Sequence, residues 1–229
     1  MHRLFDPSLH SGSTDLTAEE AKHARSLRLQ PGEQIALTNG KGLVAFAVMT
    51  TEAGYQIERL DSIPESKIRF HLVQALAKSD RDEMALQSAC ELGISSVRPW
   101  AAERSIVKWD GKEEKNLERW RQIALAAMKQ SQQAWLPEIE PVAKTKNLEP
   151  RGLSMILEPT ADTALSDVNL ETGEVTIVVG PEGGISKTEL AELSSKGFIP
   201  VRLGPSVLRT STAGPAALAA LQFASGYWR

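Results

Sequence analysis

Two glycine-bearing stretches near the carboxyl terminus hold the residues best suited to chemistry. The first is Gly180-Pro181-Glu182-Gly183-Gly184, and the second runs from Gly204 to Arg209-Thr210-Ser211-Thr212. Glycines let a ligand lie against main chain, where N–H and C=O groups can read an adenine edge or a ribose. Neither stretch has the G-x-G-x-x-G spacing or the G-x-x-x-x-G-K-[ST] pattern, so the residues that cradle a pyrophosphate or triphosphate are missing. One such loop is often only a tight turn. Two in tandem, the second ending in a guanidinium and three hydroxyls, point to a ligand site.

The elements that must hold these loops are legible nearby. Val175 to Val179 is a short, β-branched run closed by Gly and Pro, which predicts a buried parallel strand. Ser186 and Glu189 form an S-x-x-E capping box that opens a helix at about Lys187, and Gly197 stops it. Phe198 to Leu203 predicts another strand, and Pro215 to Phe223 an alanine-rich helix with Pro215 in its first turn. Ser154 to Pro159 adds a third strand. Three strand ends therefore converge at Leu157/Glu158, Val179/Gly180 and Leu203/Gly204, at the carboxyl edge of a mostly parallel sheet, where open α/β folds bind ligands.

Upstream the pattern changes. Residues 1 to about 68 read as β-rich: a short helix opens at the Thr17-Ala18-Glu19-Glu20 capping box, and strands follow at Gln34–Thr38, Val44–Met49 and Tyr55–Leu60. Asn39-Gly40-Lys41-Gly42 is a hairpin signal, so a small β-barrel or meander is expected. The polar connection from Asp61 to Lys67 marks a boundary. Beyond it come a strand at Arg69–Leu76, a helix from Arg81 to Leu92 capped by Ser79 and stopped at Gly93, and a strand at Ile94–Trp100. A long amphipathic helix is then expected from Lys112 to Trp135, with Leu117, Trp120, Ile123, Ala124, Ala127 and Met128 on one face.

Composition narrows the class. The 229 residues are 41% hydrophobic, enough for ordinary globular cores, and no apolar run is long enough to span a bilayer. The single cysteine, Cys90, excludes an internal disulfide and offers no metal cluster; no secretory leader is visible, and a cytoplasmic protein is expected. The net charge of −3 argues against binding nucleic acid by bulk electrostatics, so any RNA contact must be a local basic face. Lys22, His23, Arg25 and Arg28 make one such segment, and Lys112, Lys115, Arg119, Arg121 and Lys129 make another along the long helix. Each is as readily a solvated surface. Arg104, in Glu103-Arg104-Ser105-Ile106-Val107-Lys108, can face RNA or the ligand site.

The stretches VVGPEGGIS and LGPSVLRTSTAG resemble the paired signature of the SPOUT methyltransferases, and of the family that methylates N3 of a uridine in small-subunit ribosomal RNA. The resemblance extends upstream through HARSLRLQPGE, ALTNGKG, QALAKSDRDEMALQSACELGI, AERSIVKW, RWRQIALAAMKQS and LPEI, and so covers nearly the whole chain. It implies an α/β fold with a trefoil-knotted, mostly parallel sheet over residues 69–229, preceded by a PUA-like RNA-binding β-barrel over residues 1–68. It implies S-adenosyl-L-methionine as cofactor, held by Leu157, Glu158, Gly180, Pro181, Glu182, Gly183, Leu203, Gly204, Leu208 and Thr212. Within that set Glu182 is expected to order its glycine loop through the loop's N–H groups. Arg209 is the implied catalytic residue, and Lys22, His23, Arg25, Arg28 and Arg104 the implied RNA contacts. The implied partners are 16S ribosomal RNA of the small subunit and a second copy of the chain, with no metal and no membrane. Ser88, Ser206 and Ser211 depart from the commoner family pattern. Methylation of another RNA base or of transfer RNA, and a catalytically silent RNA-binding dimer, are the alternatives.

Overall fold

The computed structural model describes residues 1–170 and 173–227, which form two compact units. The first comprises Met1–Ser66 and Met128–Leu136. Its sheet has the order β1-β2-β3-β4, with β1 at His2–Phe5, β2 at Gln34–Thr38, β3 at Leu43–Met49 and β4 at Tyr55–Ser62, and α1 lies between the first two at Ala18–Ser26. The last three strands are the expected antiparallel meander. β1 is an addition: it pairs parallel to β2, His2 opposite Ile35. The core of this unit is Leu4, Ile35, Leu37, Ala45, Ala47, Met49 and Tyr55 packed with Ala21 and Ala24 of α1.

The Asn39 turn forms because its side-chain oxygen accepts the N–H groups of Lys41 at 2.8 Å and Leu43 at 3.1 Å. Residues 128–136 close the unit. Ala134 O accepts from Thr38 Oγ1 and from Gly42 N, and Trp135 Nε1 donates to Ile63 O at 3.0 Å. Thr17 caps α1 by accepting from Glu20 N at 3.3 Å, but only half of the predicted box exists. The Glu20 carboxylate turns instead to Lys129 at 2.6 Å and His23 at 3.0 Å.

The second unit comprises Lys67–Ala127 and Pro137–Arg229. In chain order it contains β5 (Ile68–Ala75), α2 (Arg81–Glu91), β6 (Ser96–Trp100), α3 (Glu113–Gln130, whose last turn belongs to the first unit), β7 (Glu138–Ile139), β8 (Leu153–Leu157), β9 (Gly173–Val179), α4 (Lys187–Ser195), β10 (Ile199–Val201) and α5 (Thr210–Ala224). The sheet order is β10-β8-β9-β5-β6-β7, and every pairing is parallel. Strands buried on both faces are apolar where they are covered, as β9 is from Val175 to Val179 apart from Thr176. Val73, Ile156 and Val178 meet Ile185 and Leu193 on the α4 side. On the other side Leu72 and Val179 approach Gly214 of α5, whose Gln222 Nε2 donates to Leu92 O at the end of α2.

Three expectations fail for identifiable reasons. Ser79 does not cap α2; the N-cap is Asp80, left-handed at φ 56° and ψ 21°, with no side-chain cap bond. The long helix stops at Gln130 because Gln132 takes φ 58° and breaks the helical run. Pro215 lies inside α5, which starts five residues earlier at Thr210. Pro215 is tolerated there because only one helical N–H is lost, near the start of a helix held by packing. Cys90 is buried in α2, and burial pushes its thiol up to about 12. Among the described residues no helix is long and apolar enough to cross a membrane.

Candidate ligand site

Register builds the site. Val201 of β10 lies opposite Leu157 of β8, and Leu157 opposite Val179 of β9, so three carboxyl ends finish level. The loops that follow enclose a cavity of about 520 Å³. Its walls are apolar side chains (Leu157, Val179, Ile185, Val201, Leu203 and Leu208) and glycine main chain at Gly180, Gly184 and Gly204. That volume and lining suit an organic ligand of nucleoside size or larger.

Gly204 is the telling position. A Cβ there would meet no atom within 4 Å although the residue lines the cavity. Nothing in the protein itself requires a glycine, but a ligand pressed against that main chain would. Gly180 is required by packing instead, and Gly183 sits in a tight contact. A Cβ on Gly180 would lie 2.7 Å from Ile185 Cγ1, and one on Gly183 would lie 3.1 Å from Arg104 Cβ.

Thr210 ties the two loops together. Its hydroxyl donates to Gly180 O at 2.8 Å and accepts from Gln74 Nε2 at 2.9 Å, a chain that runs from β5 through the second loop to the first. Gln74 is wholly buried at the end of β5, and its Oε1 has no partner among the described residues. The capping box of α4 holds the neighbouring loop. Ser186 and Glu189 form both reciprocal bonds, and Glu189 Oε1 also accepts from Glu103 N at 2.8 Å and Thr145 Oγ1 at 2.7 Å. That places Arg104, whose Nη1 donates to Gly183 O at 3.1 Å.

Of the residues expected to hold a cofactor, Leu157, Glu158, Gly180, Pro181, Glu182, Leu203, Gly204 and Leu208 line the cavity, and so does Arg209. Gly183 stands off the wall against Arg104, and Thr212 is exposed away from it. Glu182 does not order its own loop. Its Oε1 accepts from Lys78 N at 3.1 Å and Arg81 Nη1 at 3.2 Å, across to the turn before α2. Thr210, one of the hydroxyls of the second glycine-bearing stretch, also lines the cavity, whereas Arg81 and Ala213, which line it too, were missed. Arg81 had no signal, because its partner is 101 residues away.

The basic segments fare unequally. Lys22, Arg25 and Arg28 are exposed, while His23 is half-buried and engaged by Glu20. Along α3, Arg119 pairs with Glu83 at 2.6 Å, Arg121 with Glu114 at 2.6 Å, and Lys129 with Glu20, so this stripe is largely neutralised.

A second polar cluster lies at the opposite, amino end of the parallel sheet. Glu140 is buried and receives Arg151 through two bonds of 2.8 and 2.7 Å, Ser96 Oγ at 2.7 Å, and Arg98. Burial alone would raise its pKa, but those hydrogen bonds and the Arg98 charge hold it below the ordinary carboxylate value. Ser96 commits its only proton to Glu140, so His71 Nδ1, 2.8 Å from Ser96 Oγ, must be the donor. Burial, reinforced by the Arg151 charge, lowers the His71 pKa and keeps the ring neutral.

Comparison with known proteins agrees in sequence and in fold. A family model described as an RNA methyltransferase domain matches residues 64–222, and one described as an RNA methyltransferase PUA domain matches residues 16–54. The ribosomal RNA small subunit methyltransferase E of Mycobacterium tuberculosis (strain CDC 1551 / Oshkosh) is 37% identical over 226 residues, which is 92% of this chain and 86% of the relative. That of Bacillus subtilis (strain 168) is 30% identical over 227 residues, covering 91% and 89%. The crystal structure of the Neisseria gonorrhoeae ribosomal RNA small subunit methyltransferase E bound to S-adenosyl methionine superposes with a TM-score of 0.89 at 31% identity, covering 98% of each chain. A putative methyltransferase of Legionella pneumophila, in complex with the bound cofactor SAM, gives a TM-score of 0.89 at 32% identity over 97% of each chain. The chain belongs to the RNA methyltransferase family of the ribosomal RNA small subunit methyltransferases E.

Proposed function

We propose that the protein methylates ribosomal RNA of the small subunit with S-adenosylmethionine as donor, and that the acceptor is N3 of a uridine. The observation that carries this reading is the cavity of about 520 Å³ at three level strand ends, with a glycine at 204 that leaves its main chain open to the cavity. Its apolar walls and main-chain floor fit the adenosine and methionine parts of the donor. Leu157, Glu158, Gly180, Pro181, Glu182, Leu203, Gly204 and Leu208 would hold it, and its contribution is a methyl group already activated on sulfur.

The protein's harder task is the nucleophile, because uridine N3 carries a proton at neutral pH. Lowering its effective pKa by about two units takes about 2.7 kcal/mol of preferential anion stabilisation. One preorganised donor aimed at a developing anion supplies about 2.7–4 kcal/mol. Arg209 stands at the N-cap of α5 on the cavity wall, exposed toward its mouth, and is the group for that role. The exposed Lys22, Arg25 and Arg28 and the anchored Arg104 supply phosphate contacts.

The reading extends to a knotted cytoplasmic homodimer, with residues 1–68 as the RNA-binding domain and 69–229 as the methyltransferase domain. Support for a second copy comes from α2 and α5, which pack together and expose Met84 and Phe223, the latter 74% exposed. Light scattering tests this directly: Phe223→Asp should turn a dimer into a monomer. For the reaction, unmodified small-subunit RNA is incubated with the protein and S-adenosylmethionine, and its nucleosides are analysed by mass spectrometry. A 3-methyluridine is the expected product. A different methylated nucleoside would move the reading to another base.

A further inference from the structure

Four charged residues line the cavity: Arg81, Arg209, Glu158 and Glu182. Glu158 is occupied by its own turn, accepting from Thr160 N at 3.1 Å and Thr160 Oγ1 at 2.7 Å. Glu182 is different. Its Oε1 reaches out of its loop to Lys78 N and Arg81 Nη1, while its Oε2, like that of Glu158, takes no hydrogen bond among the described residues. Of the two described carboxylates on the cavity wall, it is the one paired with an arginine.

The turn it holds is strained. Ser79 and Asp80 are consecutive non-glycine residues at φ 56°, a left-handed conformation that costs roughly 1–2 kcal/mol per residue. Such outliers persist only where surrounding structure fixes them, and they gather at functional sites. Here α2 lacks a side-chain cap, and Glu182, from 104 and 101 residues away, joins the local bonds Ala77 N to Asp82 and Arg81 N to Lys78 O in fixing the turn. Lys78 is exposed, and the Arg81 side chain is 31% exposed, so both cations are open to a strand that enters the cavity mouth.

We propose that Glu182 reads the charge of the cavity's occupant and thereby sets whether Arg81 is free to hold an RNA phosphate. The inference rests on the methyltransferase reading above. Transfer moves a methyl group from a sulfonium to the RNA and leaves a neutral thioether, while the RNA nitrogen gives its proton to solvent, so the cavity loses one positive charge. While its occupant is cationic, Glu182 has a second counter-charge and its hold on Arg81 weakens, which leaves the guanidinium for a phosphate. Once the occupant is neutral, Glu182 retakes Arg81 and the grip on RNA relaxes. RNA is thus held tightly before transfer and loosely after it.

The test measures binding of unmodified small-subunit ribosomal RNA, transcribed in vitro, to the intact protein. It is saturated either with sinefungin, a non-reactive cationic analogue of the donor, or with the neutral S-adenosylhomocysteine. Wild type should bind RNA about two- to fivefold more tightly with sinefungin, the range a partly exposed ion pair supports. The salt dependence should be steeper by about 0.7 of a log unit, one phosphate's share for a single strand. Glu182→Gln keeps an acceptor for Lys78 N but loses the charge, so it should bind RNA at the tight level with both nucleosides. Arg81→Ala should bind at the weak level with both, and Arg81→Lys should recover part of the difference. Equal RNA affinities in wild type, or a difference that survives in Glu182→Gln, overturn the inference while leaving the methyltransferase reading intact. Calorimetry showing that wild type binds neither nucleoside, with or without RNA, overturns both.

Discussion

At the amino end of the parallel sheet, Ser96, Glu140, Arg98, Arg151 and the Nδ1 side of His71 close on one another through hydrogen bonds, while His71 Nε2 takes none among the described residues; at the carboxyl end, three strands stop level and leave main chain and glycine around a cavity. A search for catalytic side chains would choose the first end, which holds a histidine, a serine and a carboxylate in hydrogen-bond contact. The bond directions forbid that choice. Ser96 donates to Glu140, His71 donates to Ser96, and two arginines hold the carboxylate, so no nucleophile is activated and no space is left for a substrate. The end with almost no conventional catalytic groups is the one with room, and it is lined mostly by main chain and apolar side chains. Satisfied polar groups stabilise, whereas unfilled space beside main chain recognises.

The contrast can be broken from either side. Glu140→Ala should have the largest effect on stability, a loss of about 3 kcal/mol, because it leaves the buried Ser96 hydroxyl and the partly exposed guanidiniums of Arg151 and Arg98 without their acceptor. Urea unfolding reads this, and cofactor affinity measured well below the transition should change little. A large loss of affinity with unchanged stability would reverse the roles of the two ends. Arg209→Ala should lower kcat by about 10²–10³-fold with cofactor binding retained, since it removes one donor to the developing anion. Single-turnover kinetics measure it, and a rate within threefold of wild type would remove Arg209 from the reaction. Gly204→Val should weaken S-adenosylmethionine binding by about 100-fold in calorimetry without loss of thermal stability, because the new side chain enters open space.

Smaller effects sharpen the same comparison. His71 has a folded pKa below its ordinary 6.5, so the unfolded chain binds the proton first on acidification. Its contribution is therefore present above about pH 6.5 and is lost as the pH falls below that value. Stability of wild type relative to His71→Asn should accordingly decline between pH 7.5 and 5.5. A difference that is flat across that window would show that the ring titrates normally. Ser79→Gly, at the strained turn, should add up to about 1 kcal/mol of stability by relieving the left-handed strain, and no such relief exists at the amino end.

Much of this architecture can be read from local pattern. Ser186 with Glu189, the β-branched run into Gly180, and the Asn39 turn are short-range devices whose partners lie within a few residues, and each forms as expected. What pattern misses depends on distant partners. β1 is four residues long and is a strand only because β2 pairs with it; α5 runs back to Thr210 because that hydroxyl bridges Gly180 and Gln74, 30 and 136 residues away. Glu182 was legible as a site residue but not in its role, since nothing near it in sequence announces Arg81. Most of the cavity wall was legible, since it is glycine and strand end, whereas the cross-links that fix its shape were not.

Cys90 offers a window on motion. Buried in α2 with its thiol pushed up to about 12, it holds almost no thiolate near neutral pH and should be inert to alkylating reagents while the helix layer is closed. Because it is the chain's single cysteine, every labelling event must report one opening of that layer, the layer that carries Arg81 at one end and packs on α5 at the other. Its alkylation rate is thus a built-in clock for how often the ligand-bearing half of the molecule comes apart, and how far a bound nucleoside slows it.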